Sequence, residues 1–101
     1  MMRFKKRVAI VTGAGSGIGR AVSQRLAREG ATVVLVDQSE AGLLETQGIL
    51  ANTAVSQFRV MDVSDESAVS ALVADVIETH GQIDVLCNNA GIAGQHLPIT
   101  D

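Results

Sequence analysis

Four glycines fall at alternate positions in VAIVTGAGSGIGRAV, residues 8–22: Gly13, Gly15, Gly17 and Gly19. The spacing is not G-x-G-x-x-G, because the third slot is Ile18 counted from Gly13 and Arg20 counted from Gly15. An apolar run precedes the glycines and a helix-like pattern follows them. A helix that starts there offers unpaired backbone N–H groups, which hold an anion such as a phosphate. In that reading Gly13 turns the chain off the strand. Gly17 lets the backbone approach the anion with no Cβ in the way, and Gly19 lets the helix pack closely on the sheet. Gly15 reads as a permissive filler. Ser16 offers a hydroxyl donor, and Ile18 an apolar contact to a ring beyond the phosphates. A plain flexible turn is the alternative. A Walker loop is excluded, since Arg20-Ala21 stands where Lys and Ser/Thr would follow the last glycine.

Asp37 bears on that choice. It ends the next apolar run, about 20 residues past the glycines, where a carboxylate would accept both hydroxyls of an adenosine ribose. The same charge repels a 2′-phosphate, and Gln38 rather than Arg follows it. The pair therefore points to NAD more than to NADP. Two further features sit at strand ends. Asp62-Val63 either contacts a ligand or simply begins a turn. Asn88-Asn89-Ala90-Gly91 is either a set of caps tying strand ends together or a set of ligand contacts.

These residues need elements to position them. Residues 7–12 and 31–37 are β-branched apolar runs of the kind buried on both faces of a parallel sheet. Between them Ile18, Ala21, Val22 and Leu26 recur at helical spacing up to Gly30. A second helix is expected over residues 39–51, weakened by Gly42 and Gly48 at about 1 kcal/mol each relative to alanine. Residues 55–63 read as a third strand whose Gln57 and Arg59 suit a sheet edge. Ser64 is the expected N-cap of a third helix, with Asp65 and Glu66 in its first turn. Its stripe is Val69, Leu72, Val73, Val76 and Ile77, and Gly81 closes it. Residues 83–90 make a fourth strand. The alternation predicts an α/β, Rossmann-like, doubly wound parallel sheet of about four strands and three helices. The third strand lies at an edge and the fourth lies beside the first. The fourth would also be an edge, although its apolar residues suit an interior position. The expectation is therefore an incomplete sheet, with Thr100 or Asp101 capping a further helix.

Composition narrows the class. The chain has 101 residues, 47% hydrophobic, with net charge −3 and mean hydropathy +0.27. That is a globular profile, with no leaning toward nucleic acid. The basic opening RFKKR reads as a solvated chain start. No apolar run approaches the roughly 20 residues of a membrane span. Cys87 is the single cysteine, so the reading is a reducing, cytoplasmic setting with Cys87 as a small core residue. No metal site is expected.

Taken together, Thr12–Gly19 (TGAGSGIG), Asp37, Asp62-Val63 and Asn88–Gly91 (NNAG) resemble the ordered motifs of the short-chain dehydrogenase/reductase family. The resemblance covers essentially the whole chain. It implies that Gly13, Ser16, Gly17, Ile18 and Gly19 hold the diphosphate and nicotinamide side of NAD, and that Asp37 binds the adenosine ribose. It further implies that Asp62 and Val63 flank the adenine and that Asn89, Ala90 and Gly91 lie along the cofactor, while Thr12 and Asn88 brace the sheet. The family's chemistry is hydride exchange between NAD(H) and an alcohol or ketone, often in a homotetramer. It uses a Tyr-x-x-x-Lys pair and a preceding Ser found further along its chains.

This chain contains no tyrosine. His80, expected at a helix C-terminus, and His96, in an unassigned loop, are poor substitutes for that acid. The resemblance is thus to residues 1–101 as the N-terminal part of one NAD-binding Rossmann-fold domain, without its catalytic and substrate part. A small NAD-binding or partner-binding module without catalysis is the alternative.

Overall fold

In the computed structural model, which describes residues 6–51, 56–89 and 99–100, strands and helices alternate as their apolar patterns require. The parallel strands are β1 (Val8–Thr12), β2 (Thr32–Asp37), β3 (Ser56–Val60) and β4 (Val85–Asn88). The helices between them are α1 (Gly17–Arg28), α2 (Glu40–Leu50) and α3 (Glu66–His80). The sheet order is β3-β2-β1-β4, with a short β5 (Ile99–Thr100) beyond β4. The chain thus reverses direction across the sheet at β1, as the doubly wound reading requires.

Side-chain alternation explains why both faces are covered. Ala9 and Val11 of β1 and Val33 and Leu35 of β2 face Leu26 and Ala27 of α1 and Leu43 and Leu50 of α2. Their neighbours Val8, Ile10, Val34 and Val36 face Leu72 and Val76 of α3. Because successive strand residues point to opposite faces, two central strands need apolar residues at every position. The runs met that demand. Of the α3 stripe, Leu72 and Val76 are buried, Val69 and Val73 are half-buried, and Ile77 is 49% exposed. Among the described residues, no helix is long and apolar enough to cross a membrane.

Three local readings are corrected. Asp65, not Ser64, caps α3, its side chain accepting the Ala68 N–H at 3.1 Å. Ser64 instead donates its backbone N–H (2.8 Å) and hydroxyl (2.7 Å) to Asp62 Oδ1. Two adjacent residues were each able to cap, and the Asx turn at Asp62 engages the first and leaves the second at the helix start. The outer side of β4 is not bare. β5 pairs with it antiparallel, Val85 opposite Thr100 and Leu86 opposite Ile99, so Thr100 lies in a strand rather than at a helix cap. An open edge offers unpaired N–H and C=O groups, which that segment takes up. The third strand is also shorter than the expected residues 55–63, ending at Val60.

Candidate functional site

The parallel register brings the C-terminal ends of the strands to one rim. Thr12 stands opposite both Val36 and Asn88, and Asp37 stands opposite Val60. Open α/β sheets bind ligands along this rim, at the point where the strand order reverses.

Between β1 and α1 the chain turns through Gly13 and Gly17, both at positive φ (66° and 56°), which explains glycine at those positions. Gly19 is there for another reason: a Cβ on it would lie 2.0 Å from Gly13 O. α1 begins at Gly17 with Ser16 as its N-cap residue. Ser16 makes no side-chain capping bond, and the first turn carries no acid. A Cβ at Gly17 would meet nothing within 4 Å. The start of α1 is therefore an exposed, positive helix end open to an anion. Ser16 and Ile18 flank it, both exposed, Ile18 at 66%.

Asp37 closes the turn from the neighbouring strand. Its Oδ2 accepts the Gly15 N–H at 2.9 Å, and its Oδ1 accepts the Ser39 N–H at 3.0 Å. Each oxygen of an ionised carboxylate can accept again, so Asp37 retains capacity for hydroxyl donors. This contact corrects the reading of Gly15. A Cβ there would lie 2.8 Å from Asp37 Oδ2 and 3.3 Å from the Gly42 carbonyl carbon. Gly15 is a close-approach position, not a filler.

At the end of β3, Asp62 begins the turn into α3, and the Ser64 N–H and hydroxyl hold its carboxyl below the usual aspartate range. Val63 is half-buried and lines an apolar cleft on the α3 face with Ile10, Met61, Leu72, Val73, Leu86 and Asn88. At the end of β4, the Thr12 hydroxyl donates to Asn88 Oδ1 (2.8 Å) and accepts the Asn89 N–H (2.9 Å), so Thr12 and Asn88 do brace the strand ends. Asn89 Nδ2 is buried with no hydrogen-bond partner among the described residues. Ala90, Gly91 and His96 lie outside the described residues.

Two titratable candidates take bland positions. His80 ends α3, with its Nε2 3.3 Å from Gln57 Nε2 on the exposed side. Cys87 packs half-buried against the core, and burial pushes its thiol up. Among the described residues, no cluster of three or more His, Cys, Asp or Glu is placed to hold a metal ion.

In the sequence Arg20 counts only against a Walker loop, and Thr46 has no assigned role. Thr46 is fully buried, and its hydroxyl donates to Ala14 O at 2.7 Å. Arg20 donates from Nε to Thr46 Oγ1 (2.8 Å) and from Nη2 to Gly15 O (2.6 Å). One signal did exist: Thr46 interrupts the apolar stripe Leu43–Leu50 at helical spacing, as a hydroxyl with a buried partner would.

The sequence model for short chain dehydrogenases matches residues 7–100. The chain belongs to the short-chain dehydrogenase family. Levodione reductase of Leifsonia aquatica is 46% identical to this family member over 99 residues, covering 95% of this chain and 37% of that protein. The short-chain dehydrogenase/reductase homolog YusS of Bacillus subtilis is 36% identical over 102 residues, covering 99% of this chain and 93% of YusS. The crystal structure of NAD+-bound xylitol dehydrogenase superposes with a TM-score of 0.84 at 37% identity, covering 89% of this chain and 35% of that one. This short-chain dehydrogenase chain therefore spans little more than a third of levodione reductase and nearly all of YusS. The solved relative also supports the Rossmann arrangement of the four parallel strands and three helices.

Proposed function

We propose that this chain is the NAD-binding portion of a dehydrogenase that acts on a small alcohol or ketone. The observation that carries the proposal is the uncapped, acid-free start of α1, facing open space beside a carboxylate that already holds the same turn. In this reading the N–H groups at the start of α1 and the Ser16 hydroxyl receive the diphosphate, and Ile18 lies against the nicotinamide side. Asp37 takes the ribose hydroxyls on its remaining lone pairs and repels a 2′-phosphate, so NAD is preferred over NADP.

Val63 and the Asp62 turn flank the adenine beside the apolar cleft. Asn89, whose buried Nδ2 has no partner among the described residues, lies along the cofactor with Ala90 and Gly91. A bound nicotinamide supplies hydride exchange with the carbonyl carbon of the substrate. The chain has no tyrosine, so in this reading the acid that protonates the substrate oxygen belongs to a further part of a longer protein. The 37% span of levodione reductase supports that division, with residues 1–101 as the front of a single Rossmann domain.

A second reading, a small NAD-binding or partner-binding module without catalysis, is favoured by the near-complete span of YusS. One experiment separates them. The protein is titrated with NADH and NADPH by fluorescence, and the coding sequence past Asp101 is read for a Tyr-x-x-x-Lys pair. Both readings expect NADH to bind more tightly than NADPH. A Tyr-x-x-x-Lys pair encoded downstream selects the dehydrogenase, its absence selects the module, and failure to bind NADH contradicts both.

A further inference from the structure

Ala14 and Gly15, the two residues before the N-cap Ser16 of α1, are held at every backbone polar group. Ala14 N–H donates to Val36 O at 3.0 Å, and Gly15 N–H donates to Asp37 Oδ2 at 2.9 Å. Their carbonyls are taken by side chains: Ala14 O accepts from the Thr46 hydroxyl, and Gly15 O accepts from Arg20 Nη2. Arg20 Nε also donates to Thr46 Oγ1, so the two side chains form one chain of hydrogen bonds. Arg20 is only 23% exposed, and its Nη2 lies 2.7 Å from Glu45 Oε1 on the solvent side. α2 comes close enough for this because its residue 42 is glycine: a Cβ there would lie 2.7 Å from Gly15 O.

A turn carrying positive-φ glycines on both sides has much backbone freedom to lose when it closes around an anion. A turn already fixed does not lose it on binding.

We propose that Arg20 and Thr46 are positioning residues that lock the glycine turn from α1 and α2, in the conformation that receives a diphosphate. The proposal rests on the dinucleotide reading given above. Neither side chain touches the ligand in this account. Both act through the carbonyls of Ala14 and Gly15, so their effect falls on the diphosphate and spares the adenosine end held by Asp37 and Val63.

The test compares ADP-ribose and adenosine binding in the full chain by calorimetry and by NMR titration. Thr46→Val keeps the shape and removes the hydroxyl, whereas Thr46→Ser keeps the hydroxyl and removes a methyl. The expected result is a loss of about tenfold in ADP-ribose affinity for Thr46→Val and less than about threefold for Thr46→Ser, with adenosine affinity unchanged in both. Arg20→Lys keeps the charge but lacks the fork that reaches Thr46 and Gly15 together, so it also loses about tenfold for ADP-ribose. Should Thr46→Val fail to fold, the Arg20→Lys and Thr46→Ser pair decides the matter on the same criteria.

Equal losses for both ligands would overturn the proposal, as would wild-type binding by Arg20→Lys, or binding retained by Thr46→Val and lost by Thr46→Ser. If the wild-type chain binds adenosine and ADP-ribose equally, or neither, the dinucleotide reading itself fails and this proposal falls with it.

Discussion

The Gly15 N–H donates to Asp37 Oδ2 at 2.9 Å, so the last residue of β2 is built into the turn that follows β1. The carboxylate that would meet a ribose also fixes the backbone that would meet the phosphates. In the proposed reading, binding and architecture are therefore coupled at this residue.

Asp37→Asn should separate the two roles. The amide oxygen still accepts from Gly15, the amide nitrogen gives up only the exposed Ser39 N–H contact, and the negative charge that opposes a 2′-phosphate is gone. The NADH-over-NADPH preference is expected to fall by about tenfold or more, read as the ratio of two dissociation constants. An unchanged ratio would show that Asp37 does not set cofactor choice.

Glycine-to-alanine changes should have opposite signs at two positions. At Gly19 the new Cβ would meet Gly13 O at 2.0 Å, and a backbone atom cannot give way cheaply. Gly19→Ala is expected to cost about 3 kcal/mol or more in urea unfolding. At Gly48, within α2, a Cβ would meet nothing within 4 Å, and Gly48→Ala should stabilise by about 0.5–1 kcal/mol.

Asp84 should contribute an acid-side stability limit. The Val8 N–H is the largest influence holding its carboxyl below the ordinary value of 3.8, with Gln82 and Arg7 adding to it against the cost of burial. A carboxyl with a lowered folded-state pKa stabilises fully above its unfolded value. It loses that contribution as pH falls below 3.8 and through the lower folded value. Unfolding measured from pH 6 down to pH 2 should show a shallower decline below about pH 4 for Asp84→Asn than for wild type. Parallel curves would remove Asp84 from the account.

Cys87 should react as a buried thiol. Its raised pKa and half-buried place against Val11 and its neighbours predict slow alkylation by iodoacetamide at pH 8, accelerating about tenfold or more in urea. Equal rates in the two conditions would place Cys87 on an open surface.

Much of this architecture was legible because local patterns and tertiary needs agree. The runs at Val8–Val11 and Val33–Val36 have no polar position, which only two-sided burial explains. Asp37 stood out because a carboxylate ends such a run. The features that stayed hidden are those set by how elements dock. Gly15 lies close to Asp37, and Gly42 to Gly15, only after α2 packs beside the turn. Arg20 and Thr46 are 26 residues apart, and no periodicity joins them. The shift of the α3 cap from Ser64 to Asp65 was a choice between neighbours of similar propensity, decided by the Asx turn at Asp62.

The central claim, that the glycine turn and Asp37 together receive NAD, is tested most directly by calorimetric titration of the chain with NADH. The account predicts one saturable site per chain, competed by ADP-ribose and weakened when Gly15→Ala pushes a Cβ against Asp37. Absence of saturable binding, or binding that Gly15→Ala leaves untouched, would contradict it.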